Sequence, residues 1–387
     1  MDTKNIGLRG IEVADTRISN IDGQRGKLIY RGYDILDLTK HSTFEETAYL
    51  LLYDKLPTRE QMVDFKRKLI DARFIPKQMQ TNMGNWRRDA DPMDMLQAFV
   101  SALAGYYDEE FSTKESSYEK AINLIAKVPT IVASWHRIRN GLELVDPNPD
   151  LGHAANFMYM MSGKVPDPKI EKIFDVCLIL HADHTFNAST FTARQVASTR
   201  AHMYSAASAA IGALSGELHG GANTEVMKML LEIGDMQKVN QWIKDSMSRG
   251  ERIMGMGHAV YRTYDPRAQV LKELSKKVAE RTGEKWFEMT EMIETVTIDE
   301  MKKQKGRDIY PNVDLYSASI YYMLKIPVDL NTPIFAISRV VGWAAHIIEE
   351  KFAEAAPKPA LYRPKATYVG KYCGPQGCEY KSLDLRD

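Results

Sequence analysis

The stretch TREQMVDFKRKLI, residues 58–70, gives the first clear indication of the fold class of this 387-residue chain. Its apolar residues recur at intervals of three and four, which places them on one face of an α-helix. These residues are Met62, Phe65, Leu69 and Ile70. The pattern predicts a helix here, and helical signals dominate the chain from this point onward.

Helix-start signals occur on both sides of Pro57. Ser42 with Glu45, and Thr58 with Gln61, have the spacing of a capping box, in which each side chain bonds the backbone N–H of the other residue. Pro57 lies between the two pairs and separates the helices that they begin. We therefore predict one helix that starts after Ser42 and another that starts after Thr58.

The N-terminal region differs from the rest of the chain. Before Tyr33, short apolar and β-branched runs surround Asp22-Gly23, a hairpin-type turn, so a small β element is predicted there. Further helices are predicted at residues 92–106, 118–140, 154–161, 169–181, 190–214, 225–231, 265–281 and 332–354. The stretch 190–214 is rich in Ala and Ser, which suits either a buried or subunit-contact helix or an ordinary helix of high propensity.

Composition and charge exclude several classes of function. With 44% hydrophobic residues the chain can bury a sizeable core, and its length favours two domains. Lys plus Arg and Asp plus Glu both total 51, so no net field draws the chain to nucleic acid or to an anionic membrane. Because no apolar run is long enough to span a membrane and the first ten residues are polar, a cytoplasmic location is expected. Three cysteines argue against a disulfide scaffold and favour reducing surroundings.

The segment His181-Ala182-Asp183-His184 ends an apolar helical stretch. Its two histidines could bind a metal ion, but a zinc site needs a third ligand and supporting groups that the nearby sequence does not supply. A capping or substrate-contacting histidine is therefore the favoured interpretation, and no metal site is predicted.

Glycines accompany two further histidines. In Leu218-His219-Gly220-Gly221 the glycines free the backbone, which suits either the close approach of a substrate or a structural histidine at a helix end. In Gly255-Met256-Gly257-His258 a loop with two glycines presents a histidine, and Arg262 and Arg267 follow at positions able to clamp a carboxylate or phosphate. This second loop is not a dinucleotide signature, because the strand–loop–helix context and the third glycine are missing.

The segment Tyr310-Pro311-Asn312-Val313-Asp314 places one carboxylate ahead of a helical run. By its local sequence alone, Asp314 fits the role of a helix N-cap. Because Asp314 occurs in the same chain as the three other polar clusters, a functional role is the better interpretation.

Together these clusters resemble the motifs of the citrate synthase family, and the resemblance covers nearly the whole chain. The run 21–35 is similar to the opening of the family. The remaining motifs, which occur in the family's order, are Asp183-His184, His219-Gly220-Gly221-Ala222-Asn223, Gly255-Met256-Gly257-His258, Asp265-Pro266-Arg267, Tyr310-Pro311-Asn312-Val313-Asp314, Ser338-Arg339 and Arg363-Pro364. Several independent motifs in one order are not expected by chance.

The resemblance implies an all-α fold with a small β element near the N-terminus. Residues 1–221 and 320–387 would form a large, dimer-forming helical domain, and residues 222–319 a smaller, mobile domain on the coenzyme A side. The family works as a homodimer whose domains close about a hinge.

The resemblance also implies which residues carry the reaction, an acyl transfer from acetyl-CoA to oxaloacetate that yields citrate. Asp314 is the implied base that removes a proton from the methyl group, while His219 donates a hydrogen bond to the thioester oxygen. His258 is the implied proton donor to the ketone oxygen of oxaloacetate, and water then hydrolyses the citryl thioester. Coenzyme A enters as part of a substrate, and no metal or other cofactor is implied.

Oxaloacetate carries two carboxylates, which suit planar bidentate donors. By the resemblance these donors are Arg267, Arg339 and Arg363, with His184 beside them, and Arg363 would come from the partner subunit. The implied coenzyme A contacts are Arg252, Gly255, Met256, Gly257, Arg262, Lys305 and Arg307, the last two on charge and position alone.

The chain departs from the family pattern at three places. Glu217 stands where close relatives carry proline, and Asn331 replaces an expected bulky apolar residue. The tail contains Cys373 and Cys378, interpreted as part of a surface loop, with a local disulfide or metal half-site as the alternative.

Three other functions stay open. The first is 2-methylcitrate synthase, which uses propionyl-CoA; one methylene is worth only about 1–3 kcal/mol of discrimination, so the sequence does not decide the acyl group. The second is a metal-dependent hydrolase built on His181, Asp183 and His184. The third is a helical binding protein without activity, which would leave the shared placement of the histidines, aspartate and arginines unexplained.

Overall fold

The computed structural model describes residues 6–8, 10–107, 113–371, 374 and 376–386. Within these residues the architecture consists of sixteen α-helices, a few short 3₁₀ turns and one small sheet, which confirms the all-α prediction. The helices are α1 (Ile35–His41), α2 (Phe44–Tyr53), α3 (Arg59–Asp71), α4 (Lys77–Gly84), α5 (Pro92–Ala102), α6 (Lys114–Arg139), α7 (His153–Ser162), α8 (Pro168–His181), α9 (Ala188–Ser198), α10 (Met203–Ser215), α11 (Ala222–Ile233), α12 (Met236–Ser248), α13 (Pro266–Thr282), α14 (Trp286–Lys305), α15 (Val313–Met323) and α16 (Asn331–Phe352).

A three-stranded antiparallel sheet precedes the helices, as predicted. Strand β1 (Ser19–Asp22) pairs with β2 (Lys27–Tyr30), and β2 pairs with β3 (Tyr33–Asp34). The Asp22 carboxylate accepts two backbone N–H groups of the turn that follows it, at 3.1 and 2.9 Å. These bonds close the hairpin at the predicted Asp22-Gly23 turn.

Of the two predicted capping boxes, one is present and the other is not. Thr58 and Gln61 bond each other's backbone N–H at the start of α3. The Ser42–Glu45 prediction is wrong, because Thr43 caps α2 and its hydroxyl accepts a backbone N–H three residues further on. The N–H of Ser42 instead closes the end of α1.

The predicted helix 190–214 is interrupted and forms α9 and α10. Arg200 has a φ of +66°, a left-handed conformation that ends a right-handed helix. His202 then caps α10 by accepting the N–H of Ser205 at 3.0 Å. The Ala-rich α10 packs against α5 and α9, so its small side chains face neighbouring helices within the chain.

Four helices, α1, α4, α12 and α14, lie outside the predicted stretches. In α12 the buried residues Val239, Ile243 and Met247 recur at intervals of four, a periodic signal that the sequence prediction missed. The polar α4 buries only Met79 and Met83, which is a much weaker signal.

Helix α16 is the central element of the core. Its residues are buried from Asn331 to Glu350, and it packs against α6, α9 and α10. Arg194 of α9 forms buried ion pairs with Glu349 and Glu350, at 2.6 and 2.7 Å. These pairs tie α9 to α16, which also carries Arg339.

Helices α11 to α15 pack mainly among themselves. Helix α13 lies against α15, α12 against α14, and α11 against α15. The turns that precede α11, α13 and α15 carry the motifs with His219, His258 and Asp314 respectively. The division into a large and a small domain stays a prediction.

No helix in the described part of the chain combines the length and the hydropathy required to cross a membrane. Cys177 is a buried free thiol. Cys378 is disulfide-bonded, which agrees with the disulfide alternative for the tail and not with the reducing surroundings favoured for the chain; Cys373 lies outside the described residues.

Candidate active site

Two glycine-bearing turns are joined to each other directly. The N–H of Gly257 donates to the carbonyl of Tyr310 at 2.7 Å, and the N–H of Asn312 donates to the carbonyl of Gly255 at 2.9 Å. Gly255 has a φ of +79°, and a Cβ there would lie 2.9 Å from the Cα of Leu315. Glycine is therefore required for this close approach, which brings His258 and Asp314 into one unit.

The imidazole of His258 has one nitrogen bonded within the protein. Its Nδ1 accepts the N–H groups of Val260 at 2.9 Å and Tyr261 at 3.2 Å. An accepting Nδ1 assigns the proton to Nε2, which is therefore a hydrogen-bond donor. Burial, with a further contribution from the charge of Arg267, lowers the pKa of His258 to about 4, so the ring is neutral near pH 7.

His219 lies in the turn between α10 and α11 and has the opposite tautomer. Its Nε2 accepts the backbone N–H of Ser189 at 3.2 Å, and the Ser189 hydroxyl is 2.8 Å from the same nitrogen. The proton is thus assigned to Nδ1. Burial, followed by the charge of Arg339, lowers the pKa of His219 to about 4. A Cβ at Gly220 would overlap the carbonyl of Leu214, which explains the glycine beside this histidine.

Asp314 is the second residue of α15 and is not its N-cap. Asn312 caps the helix, because its Oδ1 accepts the N–H of Asp314 at 2.9 Å. The carboxylate of Asp314 is left for other contacts, and the nearby Asn223 side chain acts to lower its pKa. Burial raises the pKa of Asp314 to about 6, although the charge of Arg267 opposes the shift. This pKa suits a general base near neutral pH.

Two buried arginines supply positive charge. Arg267, near the start of α13, forms a bidentate pair with Asp265, at 3.0 and 2.7 Å. Burial disfavours the charged form of Arg267, but the Asp265 carboxylate outweighs it and holds the pKa above its ordinary value. Arg339 donates its Nε–H to the carbonyl of His181 at 2.7 Å, and its guanidinium lies 4.6 Å from the ring centroid of Phe335. The terminal nitrogens of Arg339 are thereby left for a carboxylate.

Six predicted site residues line one cavity of about 390 Å³: His184, His219, His258, Arg267, Asp314 and Arg339. The ring of His184 is 5.3 Å from that of His258, and its Nε2 is 3.3 Å from the hydroxyl of Tyr261. Burial lowers the pKa of His184 well below its ordinary value, so it too is neutral. Arg363 does not line this cavity and is exposed in the single chain.

A second cleft, of about 450 Å³, adjoins the first. His258 and Ala259 line both. Five of the predicted coenzyme A residues line the second cleft, namely Arg252, Met256, Gly257, Lys305 and Arg307. The other two do not: Gly255 is buried against Leu315, and Arg262 is exposed, with its backbone N–H bonded to the carbonyl of Gly23 at 2.8 Å.

His181, Asp183 and His184, the residues of the hydrolase alternative, each contact a different group. The Nδ1 of His181 lies 2.7 Å from the carbonyl of Cys177. Asp183 bonds Ser19 and the backbone of Thr185, away from the His184 imidazole. Within the described ranges no group of three or more His, Cys, Asp or Glu could hold a metal ion.

Sequence reasoning assigned no role to several residues at this site. Asn223, beside Asp314, was quoted within a motif, and Tyr261 follows His258 closely enough to have been noticed. Ser189 and Phe335 gave no signal, because each contacts His219 from a helix remote from it in sequence: the N–H of Ser189 bonds the imidazole, and the ring centroid of Phe335 lies 6.4 Å from that of His219.

Within an all-α fold, the cavity brings together one carboxylate with a raised pKa, three neutral imidazoles and two buried arginines. The family model described as "Citrate synthase, C-terminal domain" matches residues 7–365. The chain belongs to the citrate synthase family, as its motifs predicted.

Individual citrate synthases are similar to this chain over almost their full length. The citrate synthase of Haloferax volcanii is 42% identical, over 94% of this chain and 95% of the relative. The crystal structure of citrate synthase from Pyrobaculum aerophilum has a TM-score of 0.89 and 41% identity, covering 98% of this chain and 95% of that one. The citrate synthase of Thermoplasma acidophilum, solved as a ternary complex with carboxymethyl coenzyme A and oxaloacetate, has a TM-score of 0.90 and 32% identity, covering 99% and 100%.

Proposed function

We propose that this chain catalyses the citrate synthase reaction, in which acetyl-CoA, oxaloacetate and water give citrate and coenzyme A. The observation that carries the proposal is the cavity in which Asp314, with a pKa raised to about 6, faces the same space as three neutral histidines and two arginines. A base, neutral hydrogen-bond donors and cations for carboxylates are the groups that this reaction requires.

The first step forms the nucleophile. The carboxylate of Asp314 takes a proton from the methyl group of acetyl-CoA, while the Nδ1–H of His219 donates to the thioester oxygen, where negative charge develops. Because its pKa is about 4, His219 donates as a neutral imidazole. The product is the enolate of the thioester, whose oxygen is stabilised by the hydrogen bond from His219.

The second step forms the carbon–carbon bond. The enolate carbon attacks the ketone carbon of oxaloacetate, and the ketone oxygen takes a proton from the Nε2–H of His258. Water then attacks the carbonyl carbon of the citryl thioester and returns a proton to Nε2 of His258. The coenzyme A thiolate leaves and takes the proton held by Asp314, and the new carboxyl group of citrate ionises. His184 and the two buried arginines, Arg267 and Arg339, hold the carboxylates of oxaloacetate during these steps.

Coenzyme A is proposed to occupy the cleft that adjoins the cavity. Its phosphates would meet Arg252, Lys305 and Arg307, which line that cleft. His258 and Ala259 line both spaces, so a thioester group beside them would lie next to the acid–base residues. Coenzyme A acts here as part of the substrate, and the proposed steps require no metal ion or other cofactor.

The site is proposed to be completed in a homodimer. Arg363 is exposed in the single chain and lies outside the cavity, which supports its delivery to the partner subunit's site. We also propose that residues 222–319 form the small domain and close over bound oxaloacetate. The helices of that segment pack mainly on each other, which supports motion as a unit. Closure would keep water from the thioester until condensation has occurred.

The test is release of the coenzyme A thiol, assayed with oxaloacetate and either acetyl-CoA or propionyl-CoA. We expect release that depends on oxaloacetate and is faster with acetyl-CoA. A strong preference for propionyl-CoA would favour 2-methylcitrate synthesis, and no release with either would contradict the proposal. Treatment with a chelator should leave the rate unchanged; a lasting loss that added metal restores would favour the hydrolase alternative.

A further inference from the structure

The residue after His184 has a strained backbone. Thr185 has a φ of +48°, in the left-handed region. Among the non-glycine residues with positive φ in the described chain, Thr185 is the only β-branched one. A β-branched side chain is seldom found in this region, and such strain persists only where surrounding contacts hold it.

A buried carboxylate and a hydroxyl hold that backbone. The N–H of Thr185 lies 3.0 Å from the hydroxyl oxygen of Ser19 and 3.2 Å from Oδ2 of Asp183. The Ser19 hydroxyl donates to the same Oδ2. Asp183 is completely buried, so these bonds are protected from competition by solvent.

The backbone of Asp183 is held as firmly as its side chain. The hydroxyl of Tyr30 donates to the Asp183 carbonyl at 2.8 Å and accepts the Asp183 N–H at 3.1 Å. On the opposite side, Gly342 of α16 has no Cβ; one added there would overlap Oδ1 of Asp183 and lie 2.5 Å from the carbonyl of Ala182. The helix therefore contacts the aspartate directly.

Hydrogen-bond donors and a buried arginine around Asp183 keep it ionised. The Nε2 of His346 is 3.3 Å from Oδ1 of Asp183. The Nδ1 of His346 is 3.1 Å from the guanidinium of Arg194, which can only donate, so the imidazole proton is assigned to Nε2 and faces the aspartate. Burial raises the pKa of Asp183, but His346, Arg339 and Ser19 together hold it below its ordinary value.

We propose that Asp183 is a positioning residue for substrate recognition: with Ser19, its buried carboxylate holds the strained Thr185 and so directs the His184 imidazole into the oxaloacetate cavity. The inference rests on the proposed function, because it takes oxaloacetate as the ligand of His184. Asp183 touches no substrate itself. It acts on the reaction only through the residue that follows it.

A positioning role and a purely structural role predict different kinetics. If Asp183 orients His184, its loss weakens oxaloacetate binding more than acetyl-CoA binding, because only the first substrate uses His184. If Asp183 only stabilises the core, its loss lowers the melting temperature and leaves both KM values unchanged. The KM for each substrate, kcat and the melting temperature therefore separate the two roles.

The first variant is Asp183→Asn, which preserves the shape and removes the charge. We expect the KM for oxaloacetate to rise about tenfold, the effect of losing one charge-assisted hydrogen bond, and the KM for acetyl-CoA to change less than about twofold. The matched control is Asp175→Asn. Asp175 is also a buried carboxylate, and it accepts the backbone N–H of Phe44 at 2.9 Å at the start of α2. This control should leave the KM for oxaloacetate unchanged.

The decisive variant adds Thr185→Gly to Asp183→Asn. Glycine adopts a positive φ without strain, so the double variant should recover most of the lost oxaloacetate affinity. Absence of recovery, an unchanged KM in Asp183→Asn, or an equal effect of Asp175→Asn would each overturn the proposal. Should Asp183→Asn fail to fold, Ser19→Ala removes only the bridging hydroxyl, and an unchanged KM for oxaloacetate in that variant would overturn it as well.

Direct calorimetric titration of the unmodified chain with oxaloacetate separates this inference from the proposed function. Binding by the unmodified chain together with weaker binding by Asp183→Asn supports the positioning role. Binding of equal strength by both overturns the positioning role alone. No binding by the unmodified chain would overturn the proposed function and this inference with it.

Discussion

The Nδ2 of Asn312 donates a hydrogen bond to the backbone carbonyl of Gly257 at 2.9 Å, and this bond joins the turn before Asp314 to the turn before His258. The same asparagine caps α15 through its Oδ1. Together with two backbone hydrogen bonds between the same turns, this side chain positions the proposed base relative to the proposed proton donor.

The first prediction concerns this bond. Asn312→Ser keeps an oxygen able to cap α15 but is too short to reach Gly257, so we expect kcat to fall at least about tenfold, since misplacement of about 1 Å can cost a hundredfold. Asn312→Ala loses the cap as well and should be less stable by about 1 kcal/mol. Steady-state kinetics and urea unfolding of the two variants measure both effects. A kcat within twofold of the unmodified value in Asn312→Ser would contradict the role of the bond.

The second prediction concerns pH. The proposed base must be ionised, and the pKa of Asp314 is raised to about 6, so kcat/KM should rise with pH through an apparent pKa near 6. The histidines, with pKa values near 4, stay neutral across this range. Asp314→Asn should abolish condensation and keep oxaloacetate binding. Near-normal turnover in that variant would refute the assignment of the base.

The same shift has a consequence for stability, with a defined sign. A carboxylate whose pKa is raised by folding stabilises the fold below its unfolded pKa, near 4, and that contribution is lost as the pH rises through 6. Above pH 7 the ionised carboxylate therefore destabilises the chain, and Asp314→Asn should increase the free energy of unfolding by about 1–3 kcal/mol at pH 8. The increase should disappear at pH 4.

The third prediction concerns Asn331, the first residue of α16. It is 1% exposed, and neither atom of its amide group has a hydrogen-bond partner in the described structure. Because an unpaired buried amide is costly, Asn331→Leu should increase the free energy of unfolding by about 1–3 kcal/mol, measured by urea unfolding. Asn331→Asp, which buries a charge at the same place, should have the opposite effect. A destabilised Asn331→Leu would show that the amide is bonded.

The fourth prediction tests the shared site. Arg363→Ala and Asp314→Asn should each be nearly inactive alone. If Arg363 completes the partner subunit's site, a mixed dimer of the two variants contains one intact site, and random mixing should restore about a quarter of the full activity. Measurement of thiol release after joint refolding or co-expression checks this expectation. No recovery in verified mixed dimers would place Arg363 in the site of its own chain.

The predictions made from the sequence were strongest for local features. Three local features that were predicted are present: the apolar face of α3 at Phe65 and Leu69, the capping box at Thr58, and the hairpin at Asp22. Each of them depends on side chains within four residues of each other. The boundary between α9 and α10 was missed, because the left-handed turn at Arg200 has no glycine to mark it. The cap of α2 was misplaced by one residue, because Ser42 and Thr43 both fit the pattern.

The sequence by itself determined the family and the all-α class and predicted six of the residues that line the cavity, because ordered motifs and apolar periodicity are local properties of the chain. The tertiary structure decided what those residues can do. The backbone N–H of Ser189 assigns the tautomer of His219, and burial gives Asp314 a pKa that suits a base. The carboxylate of Asp183 and the hydroxyl of Ser19 both accept the backbone N–H of the strained Thr185. Tautomer, pKa and strain depend on partners and burial supplied by segments far apart in the chain, and only folding brings them together.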